Sequence, residues 1–147
     1  MGRRAHTTGR GSEPGSVMVD FLAETARVLQ RVDPGPLEQA IDLLLAARRD
    51  GRRVYIIGNG GSAATASHLA CDLTKTTYVP DRPALRAFAL VDSAPLTTAW
   101  ANDAAYERVF AEQLTALLDP GDVVMAITAS GNSPNIIAGL KIGRAHV

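Results

Sequence analysis

Two spacings of apolar residues alternate along the chain and predict helices and strands in turn. Residues 16–32 and 37–51 carry apolar side chains at helical intervals, and a Pro- and Gly-rich turn at 33–36 separates these two predicted helices. Short continuous apolar runs, typical of strands buried on both faces, occupy residues 52–58, 84–91 and 123–128. Further helical patterns occupy residues 62–75, 94–103, 106–118 and 136–141.

This order of elements predicts an α/β fold. Strands that alternate with helices form a parallel sheet with helices on both faces, which gives a three-layer architecture behind an N-terminal helical hairpin. We expect the three strands in the order 2-1-3, with the third strand at an edge. In such sheets ligands bind beyond the carboxyl ends of the strands, so the loops after the first and third strands are the candidate site.

Both of these loops consist of small residues. In "GNGGS" at 58–62, the three glycines let backbone amides approach a ligand, and Ser62 is predicted to cap the following helix. A helix N-terminus carries a partial positive charge that suits a phosphate. The second loop, "TASGNSPN" at 128–135, adds polar groups that can cradle a compact phosphate: Thr128, Ser130, Asn132 and Ser133.

A dinucleotide site is the first alternative. Gly58, Gly60 and Ala63 match the G-x-G-x-x-G/A fingerprint, which also requires an acidic residue about 20 residues further on, at the end of the next strand. Asp81 has nearly that spacing but lies in a predicted turn, and Asp92 ends the strand more than 30 residues away. The hydroxyl-rich second loop favours a phosphate ligand instead. The other alternative is that both loops are simple turns that bind nothing.

Composition narrows the class of protein further. The chain has 15 basic and 15 acidic residues, so no global charge indicates nucleic acid or membrane as a partner. Its one cysteine, Cys71, is compatible with a reducing compartment. No apolar run approaches the ~20 residues that span a bilayer. Residues 1–16 are interpreted as a disordered leader, or as a misassigned start upstream of Val17 or Met18.

The segments "GNGGSAATASHLACDL", "AWAND" and "SGNSPN", in this order, resemble the sugar isomerase (SIS) domain family, and most closely its phosphoheptose isomerases. The resemblance implies a flavodoxin-like sheet over residues 17–140, with a hairpin at 17–50 that packs in a homotetramer and an α/β part at 52–140. It also implies a cytoplasmic enzyme that uses zinc to interconvert sedoheptulose 7-phosphate, or a similar phosphosugar, between ketose and aldose forms.

The resemblance also assigns roles to individual residues. His68 matches a zinc-ligand histidine, and Asp72 stands where the isomerases carry a glutamate that binds the metal and moves the proton. The family's further glutamine and histidine ligands, on a late helix, have no counterpart in this sequence. The positions that match the family's substrate and phosphate contacts are Asn59, Gly60, Gly61, Ser62, Asn102, Asp103, Thr128, Ala129, Ser130 and Ser133.

The residues themselves leave the function of His68 and Asp72 open. Side chains four apart on a helix share one face, where imidazole and carboxylate can hold zinc, act as an acid–base pair, or form a surface pair without a task. Aspartate reaches one methylene less far than glutamate, and proton abstraction tolerates little displacement. An isomerase and a non-catalytic phosphosugar-binding regulatory or adaptor protein are therefore both compatible with the sequence.

Further expectations concern single residues, the C-terminal end and the activity of the chain. Cys71 is predicted to be a small buried residue, and Trp100 and Tyr106 to pack between helix and sheet. Gly143 interrupts the last helical pattern, and the codons of "KIGRAHV" can be written as a string resembling a sequencing adapter. We therefore expect residues 141–147 to be a non-native read-through tail and the last strands and helices of the fold to be missing. For that reason we also expect the 147-residue chain to be inactive as an isomerase.

Overall fold

The computed structural model describes residues 14–145 of the chain. The chain divides into two compact units, Met1–Leu37 and Glu38–Val147. Helix α1 spans Pro14–Leu29 and helix α2 spans Pro34–Arg49. The predicted break lies between them, but Pro34 begins α2 rather than ending α1. Proline is tolerated there because the N–H groups of a helix's first turn have no partner within the helix, so the N–H that proline lacks is not needed.

The predicted hairpin is present as two helices, and its packing stays a prediction. Of the predicted leader, residues 1–13 lie outside the described part of the chain, and residues 14–16 form the start of α1. None of the helices described between residues 14 and 145 is long and apolar enough to cross a membrane.

The second unit alternates strands and helices as predicted. After α2 come β1 (Arg53–Gly58), α3 (Gly61–Cys71), β2 (Arg86–Ala89), α4 (Ala94–Asp103), α5 (Val109–Leu117), β3 (Val123–Ile127) and α6 (Pro134–Ala145). The three strands form a parallel sheet in the order β2-β1-β3, which confirms the predicted order.

Successive residues of β1 point to opposite faces of the sheet and enter two separate cores. Val54 and Ile56, both fully buried, pack with α3 on one face. Tyr55 and Ile57 pack with α5 and α6 on the other face. Burial on both faces is the reason that β1 is a continuous apolar run.

Two of the predicted helices are not α-helical throughout. The helix predicted at 62–75 ends as an α-helix at Cys71 and continues as a π-helical turn over Asp72–Thr76. The helix predicted from residue 106 begins with a 3₁₀ turn at Tyr106–Arg108.

The last helix is longer than the sequence predicts. It begins at Pro134 and continues through Gly143 to Ala145, and residues 146–147 lie outside the described part. Gly143 does not interrupt this helix. A β-carbon at that position would lie 3.0 Å from Cγ2 of Val124, so glycine allows α6 to approach β3 closely.

Candidate functional site

The carboxyl ends of β1 and β3 lie side by side. Gly58, the last residue of β1, is paired with Ile127, the last residue of β3. The two small-residue loops therefore start from adjacent points on the same edge of the sheet. This is the edge at which parallel α/β sheets bind ligands.

The first loop turns directly into α3. Gly60 has a positive φ of 53° and is the N-cap residue, so the helix begins at Gly61. The prediction that Ser62 caps α3 is wrong: Ser62 is the second helical residue, and no side chain caps this helix. The Ser62 N–H donates to the carbonyl of Asn59 at 2.9 Å, which folds the loop tightly over the helix start.

The second loop is held by its own hydroxyl groups. The Gly131 N–H donates to Oγ1 of Thr128 at 3.1 Å, and the Asn132 N–H donates to Oγ of Ser130 at 3.3 Å. In both contacts the hydroxyl oxygen is the acceptor, so its own hydrogen remains available to donate to a ligand. Ser133 is half-buried immediately before α6, while residues 128–132 are exposed.

A pair of asparagine side chains joins the two loops. Asn59 Nδ2 donates to Asn135 Oδ1 at 2.9 Å, and Asn135 Nδ2 donates back to Asn59 Oδ1 at 2.8 Å. The Tyr106 hydroxyl also donates to Asn59 Oδ1, at 3.2 Å. Asn135 was not among the predicted site residues. The sequence did contain a signal for Asn135, because a polar residue at the start of a buried helix takes the place of the apolar residue expected there.

His68 and Asp72 lie on one face of α3, as their spacing predicts. His68 Nε2 is 3.3 Å from Asp72 Oδ2, and the two side chains are 81% and 49% exposed. Thr76 donates from Oγ1 to the other carboxylate oxygen of Asp72 at 3.3 Å. Asp72 begins the π-helical turn, a feature that is frequent at functional sites. His68 lies seven residues beyond Gly61, about 10 Å along the helix.

These two side chains do not form a complete zinc centre. Zinc sites in proteins have four ligands, or three protein ligands and a water molecule. Across residues 14–145 there is no group of three or more His, Cys, Asp or Glu side chains that could hold a metal ion. The described residues therefore supply two zinc donors at most.

Asn102 and Asp103 end helix α4. Asn102 Nδ2 donates to Asp103 Oδ1 at 2.8 Å, and both residues are exposed. Within the described part of the chain, no hydrogen bond joins this pair to either loop. Its predicted role in substrate binding stays a prediction.

The chain resembles known proteins along nearly all of its length. A family model described as "SIS domain" matches residues 20–146. The chain belongs to the SIS domain family. Among its relatives, a protein named phosphoheptose isomerase from Aliarcobacter butzleri is 39% identical over 88% of this chain and 69% of its own length. Another of that name from Nitratidesulfovibrio vulgaris is 43% identical over 87% of this chain and 62% of its own.

Solved structures confirm the fold of this SIS domain. The phosphoheptose isomerase GmhA from Neisseria gonorrhoeae superposes with a TM-score of 0.81 and is 32% identical, over 90% of this chain and 70% of that one. The phosphoheptose isomerase from Francisella tularensis gives a TM-score of 0.80 at 26% identity. The SIS domain described here thus spans about two thirds of the length of the proteins it matches.

Two of the single-residue expectations for this SIS domain are wrong. Cys71 is exposed rather than buried. Tyr106 is exposed and hydrogen-bonded to Asn59 rather than packed between helix and sheet. Trp100 does pack against the core formed with α5, as predicted.

A cavity of about 570 Å³ lies away from the two loops, beside Tyr55, Phe88 and Leu117.

Proposed function

We propose that the two loops bind one sugar phosphate, with the phosphate group at the loop of residues 128–133 and the sugar toward Asn59. The observation that carries this proposal is the reciprocal pairing of Asn59 with Asn135, which holds the two loops next to each other. Hydroxyl hydrogens of Thr128 and Ser130 are donors suited to a phosphate dianion, and the partial positive charge at the start of helix α6 favours its negative charge.

We further propose that the protein is an aldose–ketose isomerase of sedoheptulose 7-phosphate or a similar phosphosugar. The support is the similarity to proteins named phosphoheptose isomerase at about 40% identity. Asp72 would remove a proton from the carbon next to the carbonyl while the carbonyl oxygen gains one, which forms an enediol. Returning a proton to the former carbonyl carbon, and removing one from the neighbouring hydroxyl, completes the isomerisation.

His68 would assist this proton movement. Its Nε2 atom lies 3.3 Å from Asp72 Oδ2, so a proton could pass between the imidazole and the carboxylate. Together the two side chains would move protons to and from the reacting carbon and oxygen atoms of the sugar. Zinc bound by His68 and Asp72 would polarise the substrate oxygens, but it would need ligands beyond the described residues. The proposed steps therefore rest on the two side chains alone.

A second candidate is a non-catalytic phosphosugar-binding regulatory or adaptor protein. Asp72 favours this alternative because it is one methylene shorter than the glutamate of the isomerases. Proton abstraction depends steeply on the position of the base, whereas phosphate binding by the two loops does not involve Asp72.

We also propose that the protein assembles as a homotetramer in the cytoplasm, without nucleic acid or membrane partners. Helix α1 supports assembly because large apolar side chains along it are more than half exposed, among them Val19, Phe21 and Leu29. The unpaired thiol of Cys71 supports a reducing compartment. Light scattering coupled to size-exclusion chromatography measures the assembly state directly.

Calorimetry and a turnover assay together test the proposed function. We expect the chain to bind sedoheptulose 7-phosphate saturably and not to bind NAD. We expect no conversion by the 147-residue chain itself, so the isomerase proposal requires measurable conversion by a version extended to the length of the relatives, and Asp72→Asn must abolish that conversion. A matched control is Asp81→Asn, which makes the same chemical change in an exposed turn where φ is 64°, a conformation that asparagine tolerates.

The outcomes separate the candidates. Sugar-phosphate binding without turnover in the extended version would support the binding protein over the enzyme. Absence of binding would contradict both candidates, and saturable NAD binding would support the dinucleotide alternative.

A further inference from the structure

We infer that Asn135 is a positioning residue: its buried carboxamide, together with the Tyr106 hydroxyl, fixes the orientation in which Asn59 meets the sugar. This inference rests on the proposed function, because it assigns Asn59 to the sugar side of the same site. Asn135 itself is only 2% exposed and does not face the ligand as a surface group.

The hydrogen bonds determine which way both carboxamides point. Asn135 Oδ1 accepts from the backbone N–H of Ile136 at 3.0 Å, and a backbone N–H can only donate. The oxygen of Asn135 is thereby identified, and its Nδ2 must face Asn59. Asn59 must then accept through Oδ1 and donate through Nδ2, since the reverse orientation would oppose oxygen to oxygen and nitrogen to nitrogen.

Tyr106 completes this arrangement from a third segment of the chain. Its hydroxyl donates to Asn59 Oδ1, so that this oxygen accepts two hydrogen bonds and is no longer available to a ligand. One hydrogen of Asn59 Nδ2 has no partner among the described residues. Asn59 is thus fixed as a hydrogen-bond donor, and a sugar hydroxyl or carbonyl oxygen is the matching acceptor.

The pair connects segments that are 76 residues apart in the sequence. Asn59 lies in the loop before α3, and Asn135 lies in the first turn of α6, directly after the loop proposed for phosphate. Loss of the pair should therefore affect recognition of the sugar more than recognition of phosphate. A residue needed only for folding would not change the relative affinity for these two ligands.

The first test compares the affinities for sedoheptulose 7-phosphate and inorganic phosphate in the full chain. Asn135→Leu is neutral and keeps the number and branching of the side-chain heavy atoms, and we expect it to weaken sugar-phosphate binding about tenfold while inorganic phosphate changes less than about threefold. Tyr106→Phe removes one exposed hydroxyl, and we expect a smaller change in the same direction. An unchanged ratio of the two affinities in Asn135→Leu would overturn the inference.

Gln113→Leu is the matched control, because it also removes a buried carboxamide. Gln113 is 3% exposed and, among the described residues, donates only to the carbonyl of Val109 in its own helix. We expect Gln113→Leu to lower the melting temperature without changing the ratio of affinities. A change of ratio as large as that of Asn135→Leu would show that the effect is general destabilisation.

A second measurement needs no ligand and separates this inference from the proposed function. The N–H groups of Ser62 and Ala63 donate to the carbonyl of Asn59, so their hydrogen exchange reports how firmly this residue is held. We expect Asn135→Leu, but not Gln113→Leu, to speed that exchange several-fold. If the parent chain binds no sugar phosphate, the proposed function fails, and this exchange result alone decides whether Asn135 positions Asn59.

Discussion

Gly58 lies so close to Ser62 that a β-carbon on Gly58 would be 2.6 Å from the Ser62 carbonyl oxygen. The atom in the way belongs to the backbone of the first turn of α3, so it cannot rotate aside as a side chain would. Gly61, three residues further along the chain, differs, because a β-carbon there would have no neighbour within 4 Å among the described residues. Of these two positions in one loop, only Gly58 requires glycine for packing.

The first prediction follows from this difference. Gly58→Ala should lower the free energy of unfolding by about 1–3 kcal/mol, the usual effect of forcing an extra carbon into a packed region. Gly61→Ala should change it by at most about 1 kcal/mol in the stabilising direction, since alanine restricts the unfolded chain. Urea denaturation measures both, and equal effects of the two substitutions would contradict the steric explanation.

The second prediction concerns the turn between α5 and β3. The nearly buried carboxylate of Asp122 accepts from the N–H of Arg53 at 2.8 Å and from the N–H of Asp119 at 3.1 Å. Asp122→Ala leaves both backbone donors without this acceptor, and should lower the free energy of unfolding by about 1–3 kcal/mol. Thermal or urea unfolding provides the measurement.

Asp119→Ala is the control for this prediction. Asp119 also contacts Arg53, with Oδ2 2.8 Å from Nη1, but its side chain is 62% exposed. An exposed ion pair contributes about 0–1 kcal/mol, so Asp119→Ala should have the smaller effect. A larger loss from Asp119→Ala than from Asp122→Ala would mean that the ion pair, not the backbone hydrogen bonds, stabilises the turn.

The sheet could be predicted from the sequence because its signals are strong and local. β1 is an apolar run whose residues are buried on both faces, and its parallel partners follow from the alternation with helices. The ends of elements were harder to predict. The π-helical turn at Asp72 has no signal in the spacing of apolar residues, and the continuation of α6 through Gly143 involves its close approach to Val124, which is distant in the sequence.

The two loops of the candidate site could be predicted from the sequence, but the hydrogen bonds that connect them could not. Small residues after two strands identified the loops, and helical spacing identified the proximity of His68 and Asp72. The pairing of Asn59 with Asn135 depends on how α6 packs against the sheet, which no local pattern encodes. Tyr106 was misinterpreted for the same reason, since an aromatic residue between elements usually packs rather than donating to a loop.

The third prediction tests the hydroxyl groups of the second loop. Ser130→Ala combined with Ser133→Ala should weaken binding of sedoheptulose 7-phosphate about a hundredfold or more, because each hydrogen bond to a charged group contributes about 1.5–3 kcal/mol. The control Thr98→Ala removes an exposed hydroxyl that bonds only to carbonyls of its own helix. Calorimetry that showed parental affinity in the double variant would contradict the placement of phosphate at this loop.

The last prediction concerns zinc. His68 and Asp72 supply two donors on one exposed helical face, whereas a closed site has four ligands, so the chain should bind zinc only weakly. In competition with a metallochromic chelator, the parent should lose its zinc readily, and His68→Ala should bind still less. The matched controls are His6→Ala and His146→Ala, which change the other two histidines of the chain, both outside the described residues. One equivalent of tightly held zinc that survives His68→Ala would contradict the assignment of the metal to this helix, and its loss in either control would identify the histidine that binds it instead.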